Sequence, residues 1–411
     1  MLAKMAWRNL WRQKRRTLIT CGSVAFGVFL AFTLTGIAEN SYFRLVDTGA
    51  MMGSGHVVFQ PEGWDLHPSL DRTLADATAL QREADADPRV RTTLVHIQGQ
   101  AMFASGSKTA GGAFIALDPA REGPDVNLFL RCLKEGELFA EAGGDGAVVG
   151  ERLAQRLGLR LGKKLVYTST DKRGEIVSDV VRIRGIFRTG VAEVDASTVL
   201  LPIDRVRKTL GYAATEATTV SVLLRDQQDA PDVARLYREA QRGAGVAVLT
   251  WDEAAPDLAG LIAVDRGMNR LFQIFVGLLI AAGILNTILM SVLERQREFG
   301  VMMAVGMPPT RLVAMVLVES VFVAVVGLIA GIVATVPWYL YLATVGIDLT
   351  PMLGDGYNVG GVLMDPTLRL FLRPRHVLAV LAGVFGLTIL AGLYPAIRAG
   401  LVQPVESIRL V

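Results

Sequence analysis

The chain has 411 residues, 51% of them hydrophobic, and a formal net charge of +3 from 42 basic and 39 acidic side chains. So balanced a charge makes no case for nucleic-acid binding. Two cysteines, Cys21 and Cys132, cannot supply a disulfide framework.

Residues 1–16 carry Lys4, Arg8, Arg12, Lys14, Arg15 and Arg16 and no acid. Lys4, Arg8 and Arg12 recur every four residues on one helical face, with Trp7, Leu10 and Trp11 on another. The pattern suits a cytoplasmic amphipathic helix at an anionic membrane surface, and equally a plain basic flank that sets topology. Thr17 to Ala38 is an uncharged run of 22 residues. It is long enough to cross a bilayer and exceeds the usual core of a signal peptide, about 7–15 residues, so residues 17–38 are expected to be an uncleaved first transmembrane helix.

Residues 39–270 are of mixed polarity and contain 28 basic and 32 acidic side chains. With Cys132 as its lone cysteine, this domain must be stabilised by an apolar core, which its length allows. Short strands are expected at His56 to Gln60, Lys164 to Thr170, Val177 to Phe187, Thr198 to Pro202, Val220 to Leu224 and Val246 to Thr250. Gln98 to Asp118 reads as a hairpin, and Val148 to Leu159 and Pro231 to Arg242 as helices. From Asp252 a helical pattern runs through Arg266 and Arg270 into the second apolar stretch.

Three further spans are expected at 271–293, 312–342 and 376–397, separated by a segment at 294–311 and a loop at 343–375, with a tail at 398–411. The fold class is therefore an α-helical membrane protein with four transmembrane helices and a large mixed α+β extracytoplasmic domain between helices 1 and 2. Residues 1–16, 294–311 and 398–411 together hold 11 basic against 3 acidic side chains. This excess assigns them, and both termini, to the cytoplasm. Four helices with few polar residues cannot readily line a polar conduit, so the work is expected in the outer domain.

Chemical motifs are sparse. Gly106-Ser-Lys-Thr109 and Gly158 to Lys164 both miss the phosphate-loop pattern, and Gly144, Gly146 and Gly150 miss dinucleotide spacing by one. His56, His67, His96 and His376 show no metal-ligand spacing, and His376 reads as an interfacial residue. No catalytic, cofactor-binding or metal residue is assigned, and an enzyme in its own right is not expected.

The segment after the second span is more informative. Glu294-Arg-Gln-Arg-Glu298 is charged, Phe299, Met302, Met303 and Val305 form an apolar helical surface, and Gly306 to Pro309 breaks the helix. Such an element can dock its apolar face in a groove of a soluble partner; a loop lying on the membrane is the rival reading. Glu319 falls in the inner half of the third span and is read as a structural partner of other helices. Gly327 and Gly331 form a small-xxx-small pair, with Ser23/Gly27 and Ala382/Gly386 in other spans, which permits close helix contact and points to an oligomer.

Arg8-Asn-Leu10, Arg15-Arg-Thr17, Glu294-Arg-Gln-Arg-Glu-Phe-Gly300 with Ala304 and Gly306, Glu319, Tyr394-Pro-Ala-Ile-Arg-Ala399 and Pro404-Val-Glu-Ser-Ile408 resemble the permease family that includes FtsX, MacB and the lipoprotein-release permeases of the Lol system. Gly146 to Leu159 and Val199 to Asp204 resemble parts of that family's extracytoplasmic domain. The resemblance implies a permease of an ABC transporter in the bacterial inner membrane, working with a second permease chain, identical or homologous, and two copies of a separate ATPase that binds ATP and Mg. It implies that Glu294, Arg297, Glu298, Phe299, Gly300, Met303, Ala304 and Gly306 belong to a coupling helix that touches the ATPase. It also implies two mixed subdomains in the outer domain, one inserted at about 92–205, and a periplasmic carrier or adaptor as a further partner.

The organisation is nearest the lipoprotein-release permeases, so the expected function is mechanotransmission on a lipidated or hydrophobic substrate at the outer face of the membrane. An FtsX-like regulator of an extracytoplasmic enzyme and a MacB-like efflux component are the alternatives. A membrane-anchored enzyme is a weaker third class.

Overall fold

The computed structural model describes residues 2–12, 14–65, 67–354 and 357–402, so the motif Pro404 to Ile408 lies outside the described residues. The chain divides into two compact units. One comprises Met1–Ser41, Val264–Asp348 and Thr367–Val411, and the other Tyr42–Ala263 and Leu349–Pro366.

The first unit is built on four helices long and apolar enough to cross a membrane. They span Lys14–Gly49, Pro256–Glu294, Pro309–Thr344 and Pro374–Gly400. Three begin at a proline, whose fixed φ suits the first helical turn and whose missing N–H costs nothing there. Each helix outruns the apolar stretch that announced it, because hydropathy marks only the lipid-compatible part while the backbone ladder continues into polar sequence. The expected unbroken helix from Asp252 is interrupted. Trp251–Ala254 is a separate turn with a Thr250/Glu253 capping box, and Ala255 leaves helical geometry at φ −127°, ψ 69°. Pro256 is the reason, since a residue preceding proline is pushed out of the α region.

Gly327 and Gly331 lie against the chain's own first long helix. A Cβ on Gly327 would fall 2.6 Å from Val24 Cβ, and one on Gly331 2.7 Å from Val28 Cβ. The contact expected between chains is thus made within one. Gly27 meets Ile280 in the same way, whereas a Cβ on Gly386 would meet nothing within 4 Å. The N-terminal helix Leu2–Leu10 packs on the third long helix, with the Trp7 and Phe322 rings edge to face at 5.3 Å. The segment expected as a loop at 343–375 contributes a short antiparallel pair to this unit, Ile347–Asp348 with Thr367–Leu368.

The second unit holds a ten-stranded sheet: β1 (Val57–Pro61), β2 (Val90–Ser105), β3 (Lys108–Leu117), β4 (Leu133–Gly136), β5 (Gly146–Gly150), β6 (Lys164–Thr170), β7 (Ile176–Phe187), β8 (Thr198–Pro202), β9 (Thr219–Leu224) and β10 (Val246–Thr250). Its order is β10-β1-β9-β2-β3-β8-β5-β7-β4, with β6 pairing both β2 and β7. That last pairing closes β2-β3-β8-β5-β7-β6 into a ring. Strand β2 serves twice. Val90 to His96 pairs with β9, and Ile97 to Ser105 with β3, so one strand passes from the four-stranded part, made by sequence on both sides, into the ring made by residues 97–202.

Phe59, Phe103, Phe114 and Tyr167 anchor the core of this unit and are all but fully buried. Helix Ala230–Ala240 covers β1 through Tyr237, whose ring lies 5.2 Å from that of Phe59. Helix Ile203–Leu210 is fastened to the ring by Arg205, whose Nε and Nη2 donate to Asp179 at 2.6 and 2.9 Å. Burial opposes ionisation of Asp179, but the Arg205 hydrogen bond and the other donors outweigh it and hold the carboxyl below its usual range. Burial pushes the neighbouring Tyr167 phenol up to about 12.

The helix expected at Val148 to Leu159 starts only at Glu151 and ends at Leu157, where Gly158 takes a left-handed conformation. Gly146–Gly150 is instead the buried strand β5, held between β7 and β8. Helix Ala77–Asp85, capped by the Asp76 carboxylate accepting from the Ala79 N–H, was not anticipated.

Candidate coupling site

The second long helix ends at Glu294, Arg295 turns at φ −103°, ψ 10°, and Gln296–Ala304 forms a separate nine-residue helix. Its end is a Schellman turn: Gly306 N–H donates to Met303 O and Met307 N–H to Met302 O, each at 3.0 Å. That turn needs the left-handed φ of +101° at Gly306, which glycine adopts without strain. Pro308 and Pro309 then start the third long helix.

Phe299 is fully buried among Val292, Leu312, Met315, Val316, Ala396 and Ala399, with Met302 and Met303 packed beside it. Gly300 is also buried. The apolar surface expected to enter a partner is therefore turned into the chain's own bundle. Val305 points the other way, at 84% exposed. The outward face consists of Arg297, Val301, Ala304 and Val305, with Gly306 at its end. Of the eight residues expected to couple, Arg297, Glu298, Ala304 and Gly306 lie on the exposed side, as does Glu294 just before the helix; Phe299, Gly300 and Met303 face inward.

The charges form a chain of ion pairs. Arg16 is bidentate to Glu294, with Nη1 and Nη2 donating at 2.7 Å each. Arg12 Nη1 reaches Glu298 Oε1 at 2.9 Å. Arg295 Nε lies 3.3 Å from Glu298 Oε2, and its Nη1 donates to both oxygens of Glu319 at 3.1 and 3.3 Å. The Arg295 guanidinium also stacks 5.2 Å from the Phe299 ring centroid. These groups line a cleft of about 200 Å³. Glu319 thus has a cationic partner on the preceding turn, the arrangement by which a carboxylate in a membrane helix avoids standing alone against lipid. Arg12, Arg16 and Arg295 were not singled out from sequence as site residues; the excess of acids at 294 and 298 opposite a purely basic N-terminus was the available signal.

A second feature of the same unit is a groove of about 470 Å³ between the first, second and fourth long helices. Leu34, Val276, Ile280, Val380, Val384 and Leu387 make apolar walls, while Glu39, Arg270, Gln273 and His376 stand at one end. Gln273 Nε2 donates to Thr35 Oγ1 at 3.2 Å and Asn269 Oδ1 at 3.0 Å, and His376 Nε2 lies 3.8 Å from Glu39 Oε1. The other described histidines share no site. His96 lies in the second unit with Nε2 2.8 Å from Glu122 Oε1, and His56 accepts from the Leu224 N–H.

Residues 17–240 match the family model of the MacB-like periplasmic core domain, and residues 270–404 that of the FtsX-like permease C-terminal. The chain is 23% identical over 401 residues to the lipoprotein-releasing system transmembrane protein LolC of Xylella fastidiosa, covering 94% of this chain and 92% of that protein. It is 24% identical over 428 residues to the macrolide export ATP-binding/permease protein MacB of Agrobacterium fabrum, covering 98% of this chain and 60% of that protein. The periplasmic region of MacB from Actinobacillus actinomycetemcomitans aligns at 12% identity and a TM-score of 0.37, covering 49% of this chain and 91% of that one.

Proposed function

Because this chain belongs to the ABC transporter permeases that join a MacB-like periplasmic core domain to an FtsX-like C-terminal region, we propose that it is the membrane subunit of a mechanotransmission transporter of the lipoprotein-release kind. Its substrate is a lipidated or other hydrophobic molecule taken at the outer face of a bacterial inner membrane. ATP and Mg are bound by a separate ATPase in two copies, and a second permease chain, identical or homologous, completes the assembly. Both termini and residues 294–311 are cytoplasmic, in keeping with their excess of basic side chains. Helix Gln296–Ala304 meets the ATPase through Arg297, Val301, Ala304 and Val305, and its movement is passed along the long helices to the outer domain, where a carrier or adaptor receives the substrate.

The observation that carries the substrate class is the groove. Its volume falls within the range of about 300–1,000 Å³ common to ligand pockets, and its walls suit an acyl chain. Apolar walls alone cannot distinguish a substrate from bulk lipid tails, so selection falls to Glu39, Arg270, Gln273 and His376 at the polar end.

The test uses the full chain with its copurified ATPase in lipid vesicles loaded with a triacylated peptide, and measures ATP-dependent transfer of that peptide to external albumin. Wild type is expected to release it, and Ala31→Trp, which fills the groove, to bind the ATPase but release little. Equal release by both proteins would remove the groove from the pathway. The likeness to MacB over 98% of this chain favours efflux as the second reading. ATP-dependent movement of a macrolide in the same vesicles, without peptide release, would select it. Activation of a bound cell-wall hydrolase with neither cargo moved would select a regulator instead.

A further inference from the structure

Helix Gln296–Ala304 does not owe its orientation to its own sequence. Nine residues are too few for an isolated helix to persist in water, and both ends are breaks, at Arg295 and at Gly306. The buried Phe299 ring fixes which side faces inward, yet a single inserted side chain leaves the helix free to tilt about it. The tilt is opposed by charges from far away in sequence. Arg16 and Arg12 hold Glu294 and Glu298 across 278 and 286 residues, and Arg295 ties the break to Glu319 on the third long helix.

We propose that Arg12, Arg16 and Arg295 are positioning residues that clamp this helix, so that a movement of the exposed face is delivered to the long helices instead of being lost as local rocking. The inference rests on the coupling role given to this helix above. The clamp joins the N-terminal segment, the end of the second long helix and the third long helix at one point, which is what transmission of a push requires. The bidentate Arg16 pair, with side chains 25% and 37% exposed, is its strongest member; the Arg12 pair, at 71% and 43%, is the most open to salt.

The test follows amide hydrogen exchange at residues 296–304 in the full chain held in lipid nanodiscs. Arg16→Glu and Glu294→Arg are each expected to speed exchange about fivefold, as loss of a well-formed surface pair would, with the third long helix unchanged. The double variant Arg16→Glu/Glu294→Arg, which restores opposite charges, is expected to return close to wild type. Glu298→Gln, which leaves packing intact, should give a smaller increase in the same direction. Unchanged exchange in the single variants, or a double variant no closer to wild type than either single, overturns the clamp. The second readout is release per ATP hydrolysed by the complex with its copurified ATPase: the single variants should keep the ATPase bound yet release less peptide per ATP, and the double variant should recover. If exchange behaves as stated while wild type retains no ATPase, the clamp stands and the coupling role fails.

Discussion

Replacing Gly327 by alanine tests whether the small-residue stripe of the third long helix serves this chain or its neighbour. The new methyl carbon would sit 2.6 Å from both Val24 Cβ and Val24 Cγ1, and ordinary contact begins at 3.4 Å, so the helices must part locally by 0.8 Å. Gly331, one turn on, faces Val28 at 2.7 Å and needs 0.7 Å, so the two sites oppose any compensating rotation together. Neither valine can swing clear, because a β-branched side chain in a helix has one strongly preferred rotamer. Overpacking of this kind costs about 1–3 kcal/mol. The double variant Gly327→Ala/Gly331→Ala should lie toward the upper end, less than the sum because one separation relieves both clashes. Gly386→Ala, with nothing within 4 Å of the added atom, is the matched control and should be neutral. Reversible unfolding in mixed micelles, followed by tryptophan fluorescence over increasing SDS, measures the difference. Equal midpoints for Gly327→Ala and Gly386→Ala would refute the packing argument. So would a Gly327→Ala protein of normal stability with altered oligomeric state, since that would assign the stripe to a contact between chains.

Two further outcomes follow from the geometry. In vesicles exposing the 294–311 side, Val305→Cys should react with a maleimide at least tenfold faster than Phe299→Cys, given 84% exposure against 0%; similar rates would mean that the short helix turns over and that its apolar face reaches a partner after all. Asp179→Asn should destabilise the second unit by about 1 kcal/mol through loss of the partly exposed Arg205 pair. The folded carboxyl titrates below its ordinary value of 3.8, so its contribution is present in full above that value and is lost as pH falls through the lower folded one. Denaturant titrations at pH 7 and pH 3 should therefore show the wild-type advantage over Asp179→Asn shrinking at the acid end; a constant gap would argue against the ion pair.

How much was legible depended on the range over which each feature is decided. Strands β6, β8 and β10 were readable because runs such as Thr198-Val-Leu-Leu-Pro202 are bounded by turn or breaker residues close at hand. Strand β5 was misread because Val149, Leu153, Ala154 and Leu157 recur at helical spacing, while the partners that make Gly146–Gly150 a strand lie on β7 and β8, more than thirty residues away. The short helix after the second span was visible in its charges and its Gly306-Met-Pro-Pro309 ending, but not the side it shows. An amphipathic pattern says which face avoids water and is silent on whether the chain's own bundle or another protein covers it.

What the sequence determined by itself was therefore everything that follows from local chemistry: four spans from uninterrupted apolar runs, helix starts at Pro256, Pro309 and Pro374, the break at Gly306, and a charge asymmetry between the short segments and the large domain. Only the tertiary structure decided that Gly327 and Gly331 receive Val24 and Val28 of the same chain, that Phe299 points inward, and that Arg12 and Arg16 belong with Glu298 and Glu294. Those outcomes depend on which helices become neighbours, a property of packing among residues hundreds of positions apart that no periodicity within a single segment records.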